Sequence, residues 1–198
     1  MTRNVIPIAT RTSMEMALRR MGQQMNRESD VLFLYMTSHG LPNQFEMENA
    51  PLDLKQVDPK WLKDTLDKSG IRWRVIVISA CYSGSFVSEL QDENTLVITA
   101  SAADRASFGC SNEADYTYFG RAFFDQAMRE QHSMFDAFNQ AKETVAKWES
   151  AQGFEPSEPQ WAIGKNMELM LPQLEQRLFP QVNAVKTTPN VEMPLNIH

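Results

Sequence analysis

Apolar residues recur at helical spacing at Met14, Leu18, Met21 and Met25, which predicts an amphipathic helix over Met14–Met25. Thr12 followed by Glu15 fits a capping box at its start, and the methionine stripe reads as core packing rather than redox chemistry. After the polar break Asn26–Asp30 the pattern changes. Val31-Leu-Phe-Leu-Tyr-Met-Thr37 is apolar without alternation, as expected of a strand covered on both faces in a parallel sheet. Leu41–Gln56, with Pro42 and Pro51, reads as a loop. Asp58-Pro59 then opens a helix that Gly70 ends: the aspartate caps, the proline suits the first helical position, and Trp61, Leu62 and Leu66 form the face to be buried.

Two further apolar strands are predicted at Trp73–Ala80 and Thr95–Ala100. Strand, helix and strand at this spacing imply a right-handed crossover between parallel strands. Beyond a loop at Ser101–Asp115, Phe119, Ala122, Phe123 and Met128 mark a helix over Tyr118–Arg129. Ser133 with Asp136 starts another, in which Phe135, Phe138, Ala141, Val145 and Trp148 are expected on one side and which Gly153 stops. Pro159–Gly164 suits a last strand, and Met167–Phe179 a helix interrupted or kinked at Pro172. From Pro180 onward prolines recur without an apolar period, so residues 180–198 read as a disordered tail and residues 1–179 as one domain. The fold class is α/β, a mostly parallel sheet with helices on both faces.

Composition changes this picture little. A length of 198 residues suits a single domain, and a net charge of -6 offers no basic stripe for nucleic acid. No apolar run reaches the roughly 20 residues of a membrane span, and Met1–Arg11 lacks the pattern of a secretory signal, so a cytoplasmic location is the default expectation. Two cysteines and three scattered histidines give no metal-ligand spacing. Two cysteines are also too few for a disulfide framework, so Cys81 and Cys110 are expected as thiols.

The chemistry gathers where strands end. Ligand sites of parallel sheets lie beyond the carboxyl ends of the strands. Val31–Thr37 runs into Ser38-His39-Gly40, and Trp73–Ala80 into Cys81-Tyr82-Ser83-Gly84. On neighbouring strands about 5 Å apart, an imidazole and a thiol so placed can meet, and a histidine that takes the thiol proton yields the nucleophilic thiolate. The backbone N–H groups of Gly40 and Cys81 can together form an oxyanion hole. A bland reading stands beside this one: a strand-end cysteine is often inert core, and a histidine before glycine a loop residue.

Three segments carry a resemblance. Val31-Leu-Phe-Leu-Tyr-Met-Thr-Ser-His-Gly40, Arg74-Val-Ile-Val-Ile-Ser-Ala-Cys-Tyr-Ser-Gly-Ser85 and Leu96-Val-Ile-Thr-Ala-Ser-Ala102, the last followed by Ser107-Phe-Gly-Cys110 and Thr117-Tyr-Phe-Gly120, resemble in order and spacing the legumain-like cysteine peptidases of family C13, most of all bacterial members. The resemblance implies a caspase-like fold and a cofactor-free, metal-free dyad of Cys81 and His39 that cleaves polypeptides through a thioester. It places Ser79, Ser101, Ala102, Glu113 and Asp115 around the substrate pocket. Legumains that cut after asparagine carry an acid two positions before the nucleophile; here stands Ser79, so that preference does not transfer.

Members of the family also have two strands before the first helix. Either Met1 is not the true start or the sheet lacks them; without them Val31–Thr37 would stand at an edge, prone to self-association or to completion by another polypeptide. The activity expected is cysteine endopeptidase. The alternatives are a transamidase or peptide ligase of the same fold, or a non-catalytic, incomplete peptidase fold used for protein binding.

Overall fold

A computed structural model describes residues 8–49, 51–109 and 116–179. Helix α1, Arg11–Gln24, is capped by Thr10 rather than by Thr12: the Thr10 hydroxyl accepts from Ser13 N–H, so the cap stands two residues earlier than the capping-box pattern suggested. Its buried residue is Leu18, while Met14 and Met25 pack partly against the core and Met21 stays exposed. The methionine stripe is therefore only half a core face.

Strand β1, Val31–Thr37, is followed by a small hairpin, β2 (Gly40–Leu41) and β3 (Gln44–Phe45), inside the segment expected to be a plain loop. Pro42-Asn43 turns it, with Asn43 at φ 60°, the arrangement of a proline followed by a left-handed asparagine. Helix α2, Pro59–Ser69, has the expected Asp58 cap, which accepts from Trp61 N–H, and ends at left-handed Gly70. Strand β4, Trp73–Ser79, is buried throughout, and strand β5 is Thr95–Thr99. Between them a 3-10 turn, Ser83–Phe86, leads into a short helix α3, Val87–Leu90.

The predicted helix over Tyr118–Arg129 is a composite: α4 at Tyr118–Gly120, a π-helical stretch at Arg121–Ala127, and α5 at Met128–Glu130. Helix α6, Met134–Gln152, is capped by Ser133 and stopped by Gly153. Its buried face is Met134, Ala137, Phe138, Ala141, Val145 and Glu149, so Phe135 does not belong to it and stands exposed against Trp161. Strand β6, Gln160–Ile163, and helix α7, Lys165–Leu178, complete the chain, and α7 runs on through Pro172.

The sheet order is β1-β4-β5-β6. β1, β4 and β5 are parallel, and β6 returns antiparallel to β5. Because successive side chains on a strand point to opposite faces, β4 and β5 build two cores at once. Ile76, Ile78 and Val97 pack with Leu18, Leu62, Leu66 and Leu90 from α1, α2 and α3. Val75, Val77, Leu96 and Ile98 pack with Phe119, Phe123, Phe138 and Met167 from the helices that follow β5. Each such aliphatic side chain, fully buried, contributes about 1.5–3 kcal/mol, and the two-sided burial explains the unbroken apolar runs. No helix of the described residues is long and apolar enough to cross a membrane.

Candidate active site

The register between β1 and β4 runs from Val31 against Trp73 to Thr37 against Ser79. Two residues beyond that last pair stand His39 and Cys81. Both leave the same end of adjacent parallel strands, and Ser38 N–H still donates to Ser79 C=O at 3.3 Å. Immediately after His39 the two exits press together: a Cβ on Gly40 would lie 2.3 Å from the Cys81 carbonyl oxygen. Only glycine fits there.

The hairpin after His39 sets the direction of one amide. Glu46 N–H donates to His39 C=O at 3.0 Å, flanking the Gly40–Phe45 pair, which is therefore of the non-hydrogen-bonded kind. The Gly40 N–H is thereby left out of the hairpin ladder. The hairpin is also tied to the nucleophile turn, since Asn43 N–H donates to Ser85 Oγ at 2.9 Å.

That turn is tight and braced. Tyr82 sits at φ 55°, in the left-handed region that costs a non-glycine residue about 1–2 kcal/mol. Its N–H donates to Arg105 C=O at 2.8 Å and its carbonyl accepts from the Ser85 hydroxyl at 2.6 Å. Gly84 lies against the chain after β5, where a Cβ would meet Ala102 C at 2.6 Å. Ser101 closes the lattice: its hydroxyl accepts from Ser83 N–H at 3.1 Å and donates to Ala80 C=O at 3.1 Å.

Of the pocket residues expected from sequence, Ser101 is fully buried and braces the turn, presenting no surface to a substrate. Ser79 is likewise fully buried, its hydroxyl 2.8 Å from that of Thr117. Ala102 is partly exposed and its N–H donates to Ser157 C=O at 2.8 Å. Glu113 and Asp115, like Cys110 and the tail 180–198, lie outside the described residues.

His39 is exposed and Cys81 half-buried. Among the described residues the hydrogen-bond partners of the Cys81 sulfur are all atoms of Ser107, and no hydrogen bond joins Sγ to the imidazole. Ser107 had no signal in the sequence as a site residue, because the contact spans 26 positions and depends on how the chain after β5 folds back. Phe108, next in the chain to Ser107, is stacked on Phe154 with centroids 4.3 Å apart. Arg105 stands near Glu155 and Glu158 at 3.7 and 3.8 Å. Chemically, the arrangement brings a thiol and an imidazole out at the same end of adjacent parallel strands, next to a backbone N–H left out of the hairpin ladder. Among the described residues no group of three or more His, Cys, Asp or Glu is placed to hold a metal.

The sequence pattern of the peptidase C13 family matches residues 15–170. Legumain from Canavalia ensiformis is 37% identical over 82 residues, a stretch that takes in 40% of this chain and only 17% of that protein. Among solved structures, caspase-1 from Spodoptera frugiperda superposes with a TM-score of 0.57 at 14% identity, covering 81% of this chain and 70% of that one. At that identity the likeness is one of fold, which is caspase-like. With more than three quarters of its length inside the family pattern, the chain belongs to the peptidase C13 family.

Proposed function

We propose that the chain is a cysteine endopeptidase, with Cys81 as nucleophile and His39 as general base. The observation that carries this reading is the paired exit of His39 and Cys81 from adjacent parallel strands, closed by the contact of Gly40 with the Cys81 carbonyl. In the proposed reaction the Cys81 S–H gives its proton to the His39 imidazole, and the sulfur pair forms a bond to the scissile carbonyl carbon. The carbonyl π pair moves onto oxygen, where the Gly40 and Cys81 N–H groups receive the charge. Collapse of the intermediate breaks the C–N bond, the amine leaves with the proton from His39, and a thioester remains. Water, deprotonated by His39, then releases the acid and restores the thiol.

The imidazole must swing toward Sγ for this. Its exposure permits that movement, and catalytic hydrogen bonds commonly tighten only once substrate is bound. The test is labelling by a panel of peptidyl acyloxymethyl ketones that differ in the residue before the scissile bond. Cys81→Ala should abolish labelling. His39→Ala should slow it by roughly 10²-fold or more, the scale of a lost general base. Wild-type protein that labels no faster than a free thiol would sink the proposal.

A further inference from the structure

The Cys81 sulfur touches one residue through three different groups. Ser107 N–H donates to Sγ at 3.2 Å, the Ser107 hydroxyl donates to it at 3.8 Å, and the thiol itself donates to Ser107 C=O at 3.3 Å. Ser107 is 8% exposed, so water competes little for these contacts. The residue is also fixed on both sides. Two positions before it, Arg105 C=O accepts from Tyr82 N–H at 2.8 Å, the amide next to the nucleophile. One position after it, Phe108 C=O accepts from Tyr118 N–H at 3.0 Å, and the Phe108 ring is stacked on Phe154. A segment anchored this way holds the sulfur to one rotamer instead of following it.

We infer that Ser107 is a positioning residue for the nucleophile, its amide and hydroxyl holding the Cys81 sulfur in the attacking position while its carbonyl holds the proton of the resting thiol. The reason lies in the count of partners. The neutral thiol can satisfy all three groups: it has one proton for the carbonyl and lone pairs for the two donors. Once the proton has passed to His39, the carbonyl faces a sulfur with nothing to donate and repels it, while the N–H and O–H bonds to the anion strengthen. The sulfur is therefore pushed off the carbonyl without leaving the two donors. The contact is to the reacting atom's geometry and not to substrate, and the inference rests on Cys81 being the nucleophile.

The test uses the whole chain and two electrophiles. Iodoacetamide reads the sulfur alone: the S–C bond forms, iodide leaves, and the thiol proton is lost to His39 or solvent. A peptidyl acyloxymethyl ketone reads the sulfur together with substrate recognition. Removing only the hydroxyl, Ser107→Ala should slow alkylation by iodoacetamide about fivefold, the rate equivalent of one ordinary hydrogen bond. The same variant should lower the saturating rate of ketone labelling by a similar factor, with the half-saturating concentration unchanged. Ser107→Thr, which keeps the hydroxyl, should restore both rates, and Ser107→Val, of the same shape without it, should not.

Equal rates in wild type and Ser107→Ala would overturn the inference. So would a change confined to the half-saturating concentration, which marks a substrate contact. Failure of Ser107→Thr to rescue, with a fall in the thermal midpoint, would also overturn it, because that marks a merely structural role. Iodoacetamide rates that depend on Ser107 in a protein that ignores every peptidyl ketone would keep this inference and remove the peptidase reading. Ketone labelling indifferent to Ser107 would do the reverse.

Discussion

At the scale of single residues the site depends on places where no larger side chain fits. Gly40 is the sharpest. A Cβ at 2.3 Å from the Cys81 carbonyl oxygen meets backbone at the end of a fully buried strand, so neither partner can swing aside. Gly40→Ala should spread the exits of β1 and β4, moving the Gly40 N–H and the Cys81 turn apart. The expected cost is about 1–3 kcal/mol of stability, the usual price of overpacking. Labelling of Cys81 by a peptidyl ketone should fall by at least about tenfold, because misplacement by an ångström is felt strongly in attack geometry. Chemical denaturation and labelling on the same sample would check both. A variant with unchanged labelling would show that the approach of the two strand exits does not matter to the chemistry. Tyr82 makes the complementary point: its left-handed backbone is held by Arg105 C=O and the Ser85 hydroxyl, and it turns the chain away so that Cys81 stands at the sheet edge.

At the scale of elements, the ends of α2 and β4 are joined by charge. Arg74, 6% exposed, donates to Asp67 at 2.9 Å and to the carbonyls of Ile71 and Leu66, so a guanidinium enters an otherwise apolar strand with its donors satisfied. Burial tends to raise the Asp67 carboxyl, but hydrogen bonds and charge from Lys63 and Arg74 outweigh it and leave the pKa below the ordinary 3.8. A carboxylate lowered in the folded state contributes stability that is present above its unfolded pKa and lost as pH falls through the folded value. Glu175, raised by burial despite the N–H of Met134, has the opposite sign, its contribution being present in acid and lost as pH rises past the ordinary 4.5. Asp67→Asn should therefore lower stability at neutral pH, by no more than about 1 kcal/mol given that half the side chain is exposed, and the gap should close in acid. Melting curves of both proteins from about pH 7 to about pH 3 would check the sign. A gap that widens in acid would refute it.

The same scale explains what was legible beforehand. β4 and β5 could be read because two-sided burial writes unbroken apolar runs, and α2 because Asp58-Pro59 and Gly70 punctuate a helix locally. β1 carries the same kind of run but is not covered on both faces as that pattern suggested: Leu32 and Met36 are buried, while Phe33, Tyr35 and Thr37 stand exposed because β1 is an edge strand among the described residues. The start of α1 was misread because Thr10 and Thr12 are both competent caps, and only the Ser13 contact decides between them. Glu149, with no apolar signal, is buried on α6 because the loop after the helix covers it, where Ser157 N–H donates to its carboxylate at 3.0 Å. No helical period encodes a partner of that kind. In the site, the strand ends locate His39 and Cys81; Ser101, Ser107 and Thr117 stand in the segments that carry the resemblance, but the contacts they make between segments have no local signature.

At the scale of the molecule the sheet has two unequal edges among the described residues. The β6 edge is four residues long and lies under the α6–α7 side, where Trp161 packs with Phe138. β1 is seven residues long, pairs with β4 on one side only, and leaves Phe33 and Tyr35 each 41% exposed. Phe124 partly covers both, its ring 4.8 Å from that of Tyr35 and 6.2 Å from that of Phe33. Among the described residues nothing pairs with the outer side of this long strand, which carries no charged side chain from Val31 to Thr37, and its exposed aromatics favour edge pairing. The net charge of -6 opposes association but is spread over the whole surface. Two copies of this chain are accordingly expected to pair β1 against β1, extending the sheet across the junction. The His39 exit lies at the end of that strand, so association would also narrow the approach to Cys81. Light scattering over a range of concentrations should show mass rising toward a dimer or beyond, and labelling per chain should fall as it does. Phe33→Lys, which puts a charge on the edge away from the site, should hold the protein monomeric and restore labelling at high concentration. A monomer at every concentration, with labelling independent of it, would mean that β1 is not an association edge.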